Sequence, residues 1–307
     1  MVRIVASFIL YIVIFLLGMT VMKIGLLNSA EARFKRVLYK MTDRPIKGLI
    51  AGALTTAIVQ SSSAVTVITV GLVASGLIAF KQTIGVILGA NIGTTITSEI
   101  ATFHIAHLHW GLLVVGAILL FLPNEKTFMI GAISFGIGCL FVAMNGLNTL
   151  AAPLAHFAPM KAVLHASDRS IILAALAGAL FSAMIQSSSA TTLIVMSLMN
   201  HGALSLIAGV AIVLGANVGT CATALLASVG SRRAARWTAY THALFNLCGV
   251  ILCLPFLPYF VHWLNHFQLA PDVKLAHSSV LFNLVTALLA LPFANRYGRW
   301  AERRMRR

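Results

Sequence analysis

Gly52-Ala53-Leu54-Thr55-Thr56-Ala57-Ile58-Val59-Gln60-Ser61-Ser62-Ser63-Ala64 returns as Gly178-Ala179-Leu180-Phe181-Ser182-Ala183-Met184-Ile185-Gln186-Ser187-Ser188-Ser189-Ala190, an offset of 126 residues from Gly52 to Gly178. A second pair, Gly89-Ala90-Asn91-Ile92-Gly93-Thr94-Thr95 and Gly215-Ala216-Asn217-Val218-Gly219-Thr220-Cys221, keeps the same offset. Two separate motifs sharing one offset mark an internal duplication. Weaker similarity extends upstream and pairs the first apolar run with Ile130 to Leu147. In a membrane protein such duplication points to a transporter whose site lies where the two copies meet.

The solvent is a bilayer. Hydrophobic residues make up 59% of the 307 and charged residues 9%, and the mean hydropathy is +0.94, values that exclude an ordinary soluble domain. A span needs about 20 apolar residues, and the sequence offers roughly eight or more such stretches. The first of them resembles a signal peptide around Arg3, but its apolar run from Ile4 to Met22 is long, and its counterpart in the second copy makes it the first span. The net charge of +15 sits in short segments between apolar runs, so it reports topology rather than nucleic-acid binding. Cys139, Cys221, Cys248 and Cys253 lie in apolar segments without metal or disulfide spacing and read as packing residues.

The charges also orient the copies. Lys23, Arg33, Lys35, Arg36, Lys40, Arg44 and Lys47 precede the first Gln-Ser-Ser-Ser, whereas the corresponding stretch of the second copy holds Lys161 and Arg169. After the asparagine motif the bias reverses: the loop Thr102 to His109 has no Lys or Arg, while its counterpart carries Arg232, Arg233 and Arg236. By the positive-inside rule the copies are inverted, with the N-terminus outside and the C-terminus in the cytoplasm of a cell (inner) membrane protein. Spans are expected at Trp110–Leu122 and Phe128–Asn145, with Lys126 at an inside turn. The expected organisation is a first membrane repeat over 1–109, a connecting span over 110–129, a second repeat over 130–236, C-terminal spans over 237–295 and a basic cytoplasmic tail over 296–307. The segment Arg33 to Lys40 reads as an amphipathic helix on the cytoplasmic surface, drawn to anionic lipid.

Four consecutive polar side chains in an apolar run cannot share one face of a helix, so the backbone should unwind there. The runs Ile46 to Val59 and Ile171 to Ile185 are short for a span, which predicts two re-entrant hairpins or broken helices with the polar residues at their tips. Carbonyls of an unwound tip suit sodium, and the N-terminus of the following half-helix suits an anion. The hydroxyls of Ser61, Ser62, Ser63, Ser187, Ser188 and Ser189 serve either ligand, and Gln60 and Gln186 carry both a carbonyl and an amide. The asparagine motifs add Asn91 and Asn217, glycines for close backbone approach, and hydroxyls at Thr94, Thr95, Thr97, Thr220 and Thr223. Simple tight helix packing by small residues is the competing reading of these motifs. No acidic residue lies in either hairpin; the nearest, Glu99, is a cation ligand or a loop residue. A neutral site favours a cation-coupled anion carrier over a carboxylate proton relay.

These motifs resemble the type II sodium/phosphate cotransporter family, whose paired Gln-Ser-Ser-Ser segments lie in inverted repeats. The resemblance covers most of the chain and includes His242-Ala243-Leu244-Phe245-Asn246 and His277-Ser278-Ser279-Val280-Leu281-Phe282-Asn283. It implies an all-α protein that moves inorganic phosphate with sodium as coupling ion, without another cofactor. It further implies Gln60 to Ser63 and Gln186 to Ser189 at substrate and ions, with sodium candidates Gln60, Ser61, Gln186, Ser187 and Thr192. Cys221 stands where the first copy has Thr95, which removes one hydroxyl. The large helical regulatory domain that some bacterial relatives carry is expected to be missing. His104, His107 and His109 read as interfacial or as a small metal site. The rival classes are a carrier or exporter of another small anion and a non-transporting accessory protein; a hydrolase lacks a nearby general base.

Overall fold

The computed structural model describes residues 2–40, 44–103 and 108–306, with side chains for all of these except 27–35, 40 and 306. Every regular element among them is helical. Six helical runs are long and apolar enough to cross a membrane: Val2–Leu26, Phe80–Ala101, Glu125–Ala155, Leu206–Ser228, Arg233–Leu264 and Pro271–Met305. Four shorter apolar helices, Pro45–Val59, Ser62–Ala74, Leu108–Leu120 and Ile171–Ile185, take the place of the further full spans expected from hydropathy. The reason is punctuation: residues in the left-handed region at Gln60 and Gln186 divide two apolar runs, and Pro123 lies just beyond the helix that ends at Leu120. That helix, α5 (Leu108–Leu120), rises only ~20 Å, against ~30 Å of hydrocarbon.

The first helix, α1 (Val2–Lys40), pairs with α6 (Glu125–Ala155). Gly18 meets Cys139 and Gly25 meets Ala132, so the two run antiparallel. The surface helix expected at Arg33–Lys40 is instead the continuation of α1, whose residues from Met22 to Lys40 include no proline. Its Leu38 is fully buried.

Helices α2 (Pro45–Val59) and α3 (Ser62–Ala74) precede α4 (Phe80–Ala101); α8 (Ile171–Ile185) and α9 (Ser188–Asn200) precede α10 (Leu206–Gly219). The first and third members of each trio pack along one another. Their register is identical in the two copies: a Cβ on Gly52 would strike the Val86 carbonyl at 2.3 Å, and one on Gly178 the Ile212 carbonyl at 1.9 Å. Gly89 and Gly215 of the asparagine motifs are tighter still, at 1.9 Å from the Leu49 carbonyl and 1.8 Å from the Ala175 carbonyl. These glycines therefore act as helix-packing surfaces, the close approach that small residues allow in a bilayer.

Helix α11 (Cys221–Ser228) continues α10 after a single non-helical residue, Thr220. Helices α12 (Arg233–Cys253) and α14 (Pro271–Ala290) complete the wall behind both trios, with α13 (Leu257–Leu264) continuing α12. The basic C-terminal segment is not a trailing tail but a docked helix, α15 (Ala294–Arg306). Phe80, Trp237, Tyr297 and Trp300 form a cluster of edge-on and tilted rings with centroids 5.8–6.5 Å apart that ties it to α4 and α12. Arg233 also donates to the Met305 carbonyl at 2.8 Å. An amphipathic helix, α7 (Ala158–Arg169), leads into α8.

Gly89→Ala and Gly215→Ala should each destabilise the protein by ~1–3 kcal/mol, the usual range for overpacking. Thermal unfolding of the purified protein in detergent reads this directly, and an unchanged midpoint would refute the contact.

Candidate functional site

The two serine motifs are built alike, from the backbone outward. Gln60 closes α2 in the left-handed conformation (φ 55°, ψ 30°), and Gln186 closes α8 the same way (φ 57°, ψ 29°). A glutamine there is uncommon, because its Cβ crowds the backbone. The next residue, Ser61 or Ser187, is extended and becomes the N-cap of α3 or α9, accepting from Ala64 N or Ala190 N at 3.2 Å. Each cap satisfies one of the orphan donors of the new helix and leaves others unpaired.

Both tips face one cavity of about 500 Å³, enough for on the order of 15 waters. Gln60, Ser61 and Ser63 line it from the first copy and Gln186, Ser187 and Ser189 from the second, joined by Thr223. The rest of the wall combines one face of α1, with Phe15, Met19, Thr20 and Lys23, and the α3 residues Ala64, Val67 and Ile68. No acidic residue lines it among the described residues.

Ser62 and Ser188 are instead buried in the first turns of α3 and α9. Thr192 is buried too, donating to the Ser188 carbonyl at 2.9 Å, while its counterpart Thr66 has a buried hydroxyl without a partner among the described residues. Asn91, Thr94, Thr95, Asn217 and Thr220 are not among the cavity's lining residues. Asn91 sits inside the unbroken α4 and donates to Asn246 Oδ1 at 2.6 Å; Asn246 donates in turn to Cys221 Sγ at 3.0 Å. The two asparagine motifs are thus bridged through α12. Asn217 donates to the Val213 carbonyl at 3.3 Å, Thr95 to the Ile92 carbonyl at 2.8 Å, and Thr220 to the Ala216 carbonyl at 2.8 Å. Thr220 also lies 2.9 Å from the Ser182 hydroxyl.

The equivalence of the two tips is broken at the glutamines. Thr97 donates to Gln60 Oε1 at 2.7 Å, and Gln60 Nε2 donates to the Ala57 carbonyl. Gln186 has no side-chain partner among the described residues and is exposed to the cavity, while Thr223, the counterpart of Thr97, donates to the Thr220 carbonyl at 2.8 Å. One amide is held and the other is free. Glu99 lies in the last turn of α4 and pairs with His277 at 2.9 Å, outside the cavity. His104 and His107 fall outside the described residues, and His109 is buried against Trp110. Sequence reasoning missed the α1 wall; its signal was the spacing of Phe15, Met19 and Lys23, four residues apart along one helical face.

The sequence profile of the Na+/Pi-cotransporter family matches residues 14–149 and 152–265. The chain belongs to the Na+/Pi-cotransporter family. The matched residues of this Na+/Pi-cotransporter family member include both serine motifs, both asparagine motifs and the α1 wall of the cavity. It is 39% identical over 277 residues to the uncharacterized protein YqeW of Bacillus subtilis, covering 90% of each chain. It is 28% identical over 260 residues to the "Putative inorganic phosphate export protein YjbB" of Escherichia coli, which takes in 84% of this chain and 48% of YjbB, so it spans about half that relative's length. A stretch of 56 residues is 48% identical to sodium-dependent phosphate transport protein 2A of Oryctolagus cuniculus, 18% of this chain and 9% of that one. No solved structure matches.

Asn246→Ala leaves the Asn91 amide and the Cys221 sulfur without their shared partner. It should lower stability by ~0.5–2 kcal/mol, the range for interhelical hydrogen bonds in membranes. Leu247→Ala, at an exposed neighbouring position, should leave the unfolding midpoint in detergent nearly unchanged.

Proposed function

We propose that this protein is a secondary transporter that moves inorganic phosphate together with sodium by alternating access to the shared cavity. The observation that carries the reading is the convergence of both Gln-Ser-Ser-Ser tips on one space with no carboxylate among its described lining residues. Two helix N-termini direct unpaired N–H groups and partial positive charge toward that space, the arrangement that binds anions. Ser63 and Ser189 add hydroxyl donors to phosphate oxygens. Sodium, the second cargo, fits the acceptor set: the carbonyl oxygens of Gln60 and Gln186, the hydroxyls of Ser61 and Ser187, and backbone carbonyls where α2 and α8 end. A phosphate dianion offsets the cations, so the site needs no acidic side chain.

The two copies are inverted repeats in this reading, each with a re-entrant helix pair, α2–α3 and α8–α9. The antiparallel packing of α1 on its counterpart α6 supports the inversion, and the Lys and Arg distribution supports cytoplasmic ends for α1 and α15 in a cell inner membrane. Phosphate as cargo is favoured by the family and by the names of YjbB and transport protein 2A. The name of YjbB favours a second reading, outward movement of phosphate through the same site.

Uptake of radiolabelled phosphate into proteoliposomes, with and without an inward sodium gradient, tests the proposal. Sodium should stimulate uptake, and Gln60→Ala with Gln186→Ala should reduce it by about tenfold or more, each hydrogen bond to a charged group being worth ~1.5–3 kcal/mol. Folded wild-type protein that moves phosphate in neither direction would remove phosphate as cargo.

A further inference from the structure

Among the described residues the cavity carries one charged side chain, Lys23, which neither the serine motifs nor their duplication accounts for. In the sequence it is the first of the seven basic residues from Lys23 to Lys47 that orient the first copy. In the fold it is partly buried within α1, on the same helical face as Phe15, Met19 and Thr20, and it lines the space shared by Gln60, Ser61, Gln186 and Ser187. No acidic residue pairs with it among the described residues, and none lines the cavity. An ammonium in a partly enclosed space of low dielectric, without a counter-ion, produces a field that water screens poorly.

The duplication makes this charge one-sided. At the shared offset of 126, the counterpart of Lys23 is Thr149 on α6, which is neutral, and α6 contributes nothing to the lining. From Phe15 to Lys23 the wall runs ~12 Å along α1, and Lys23 stands at the end nearest Arg36, Arg44 and Lys47, the cation-rich end. The cavity thus has a cation at its cytoplasmic end and none at the equivalent position of the other copy.

We propose that Lys23 is an anion-attracting, specificity-determining residue of the cytoplasmic mouth, raising the affinity for phosphate from that side only. This rests on the phosphate reading above. The ammonium offsets part of the substrate's charge before the neutral serine and backbone donors take it up, so its loss weakens capture at the cytoplasmic mouth and leaves the opposite mouth as it was. Lysine acts here as a point charge, so arginine substitutes for it in field, though not in shape.

The test is phosphate transport in proteoliposomes of defined orientation, with the half-saturating phosphate concentration measured from each face for wild type, Lys23→Gln and Lys23→Arg. Lys23→Gln should raise the cytoplasmic value about fivefold to tenfold, with the opposite face within about twofold of wild type, and Lys23→Arg should restore most of it. The wild-type cytoplasmic value should also rise with ionic strength more steeply than that of Lys23→Gln. Equal values for wild type and Lys23→Gln, or the same loss on both faces, overturn the role of Lys23 while leaving phosphate as cargo. If Lys23→Gln does not fold, Lys23→Met read by phosphate-dependent thermal stabilisation in detergent decides, and stabilisation equal to wild type overturns the proposal. Wild-type protein that moves no phosphate overturns the cargo and this role together.

Discussion

A helix that stops inside hydrocarbon leaves backbone N–H and C=O groups with no water to receive them, and that constraint organises this protein. Such ends are tolerated only where they face a polar cavity or find partners within the protein. At Gln60 and Gln186 both remedies operate: each serine N-cap takes one orphan donor, and both tips line the common cavity. The site is therefore the place where the fold's unsatisfied backbone is collected.

Holding two such ends in place requires rigid supports, and these come from the asparagine motifs. Their glycines let α4 and α10 press against α2 and α8 at backbone contact distance, in the same register in both copies. Their asparagines do not reach the cavity; Asn91 is bridged to Cys221 through Asn246. The replacement of Thr95's equivalent by Cys221 costs the cavity no hydroxyl, since Cys221 is buried and its sulfur joins that bridge. The division of labour is plain. One repeated motif lines the cavity, and the other spaces and ties the helices that carry it.

The two copies are alike in register and unlike in side-chain state. Gln60 is held by Thr97 and Ala57, whereas Gln186 has no side-chain partner among the described residues and Thr223 is turned toward its own helix. The single-residue interruption at Thr220 separates Thr223 from the straight course that α4 keeps through Thr97. Two copies of one sequence pattern thus occupy two different arrangements around one space.

The sequence by itself determined the bilayer as solvent, the duplication, the two points where helices break and the serine and glutamine side chains placed there. These follow from local rules: hydropathy, a constant offset, and the inability of four adjacent polar residues to share a helical face. The length of α1, the docking of α15 and the shortness of α5 were decided by packing, since nothing local stops α1 before Lys40 and aromatic contacts hold α15. Only the tertiary structure could separate the cavity-lining Ser63 and Ser189 from the buried Ser62 and Ser188, set Asn91 and Asn217 outside the cavity lining, and bring Lys23 into it. Which way a side chain faces depends on the helix laid against it. That partner lies a hundred residues or more away for Asn91 and Asn246, beyond any local pattern.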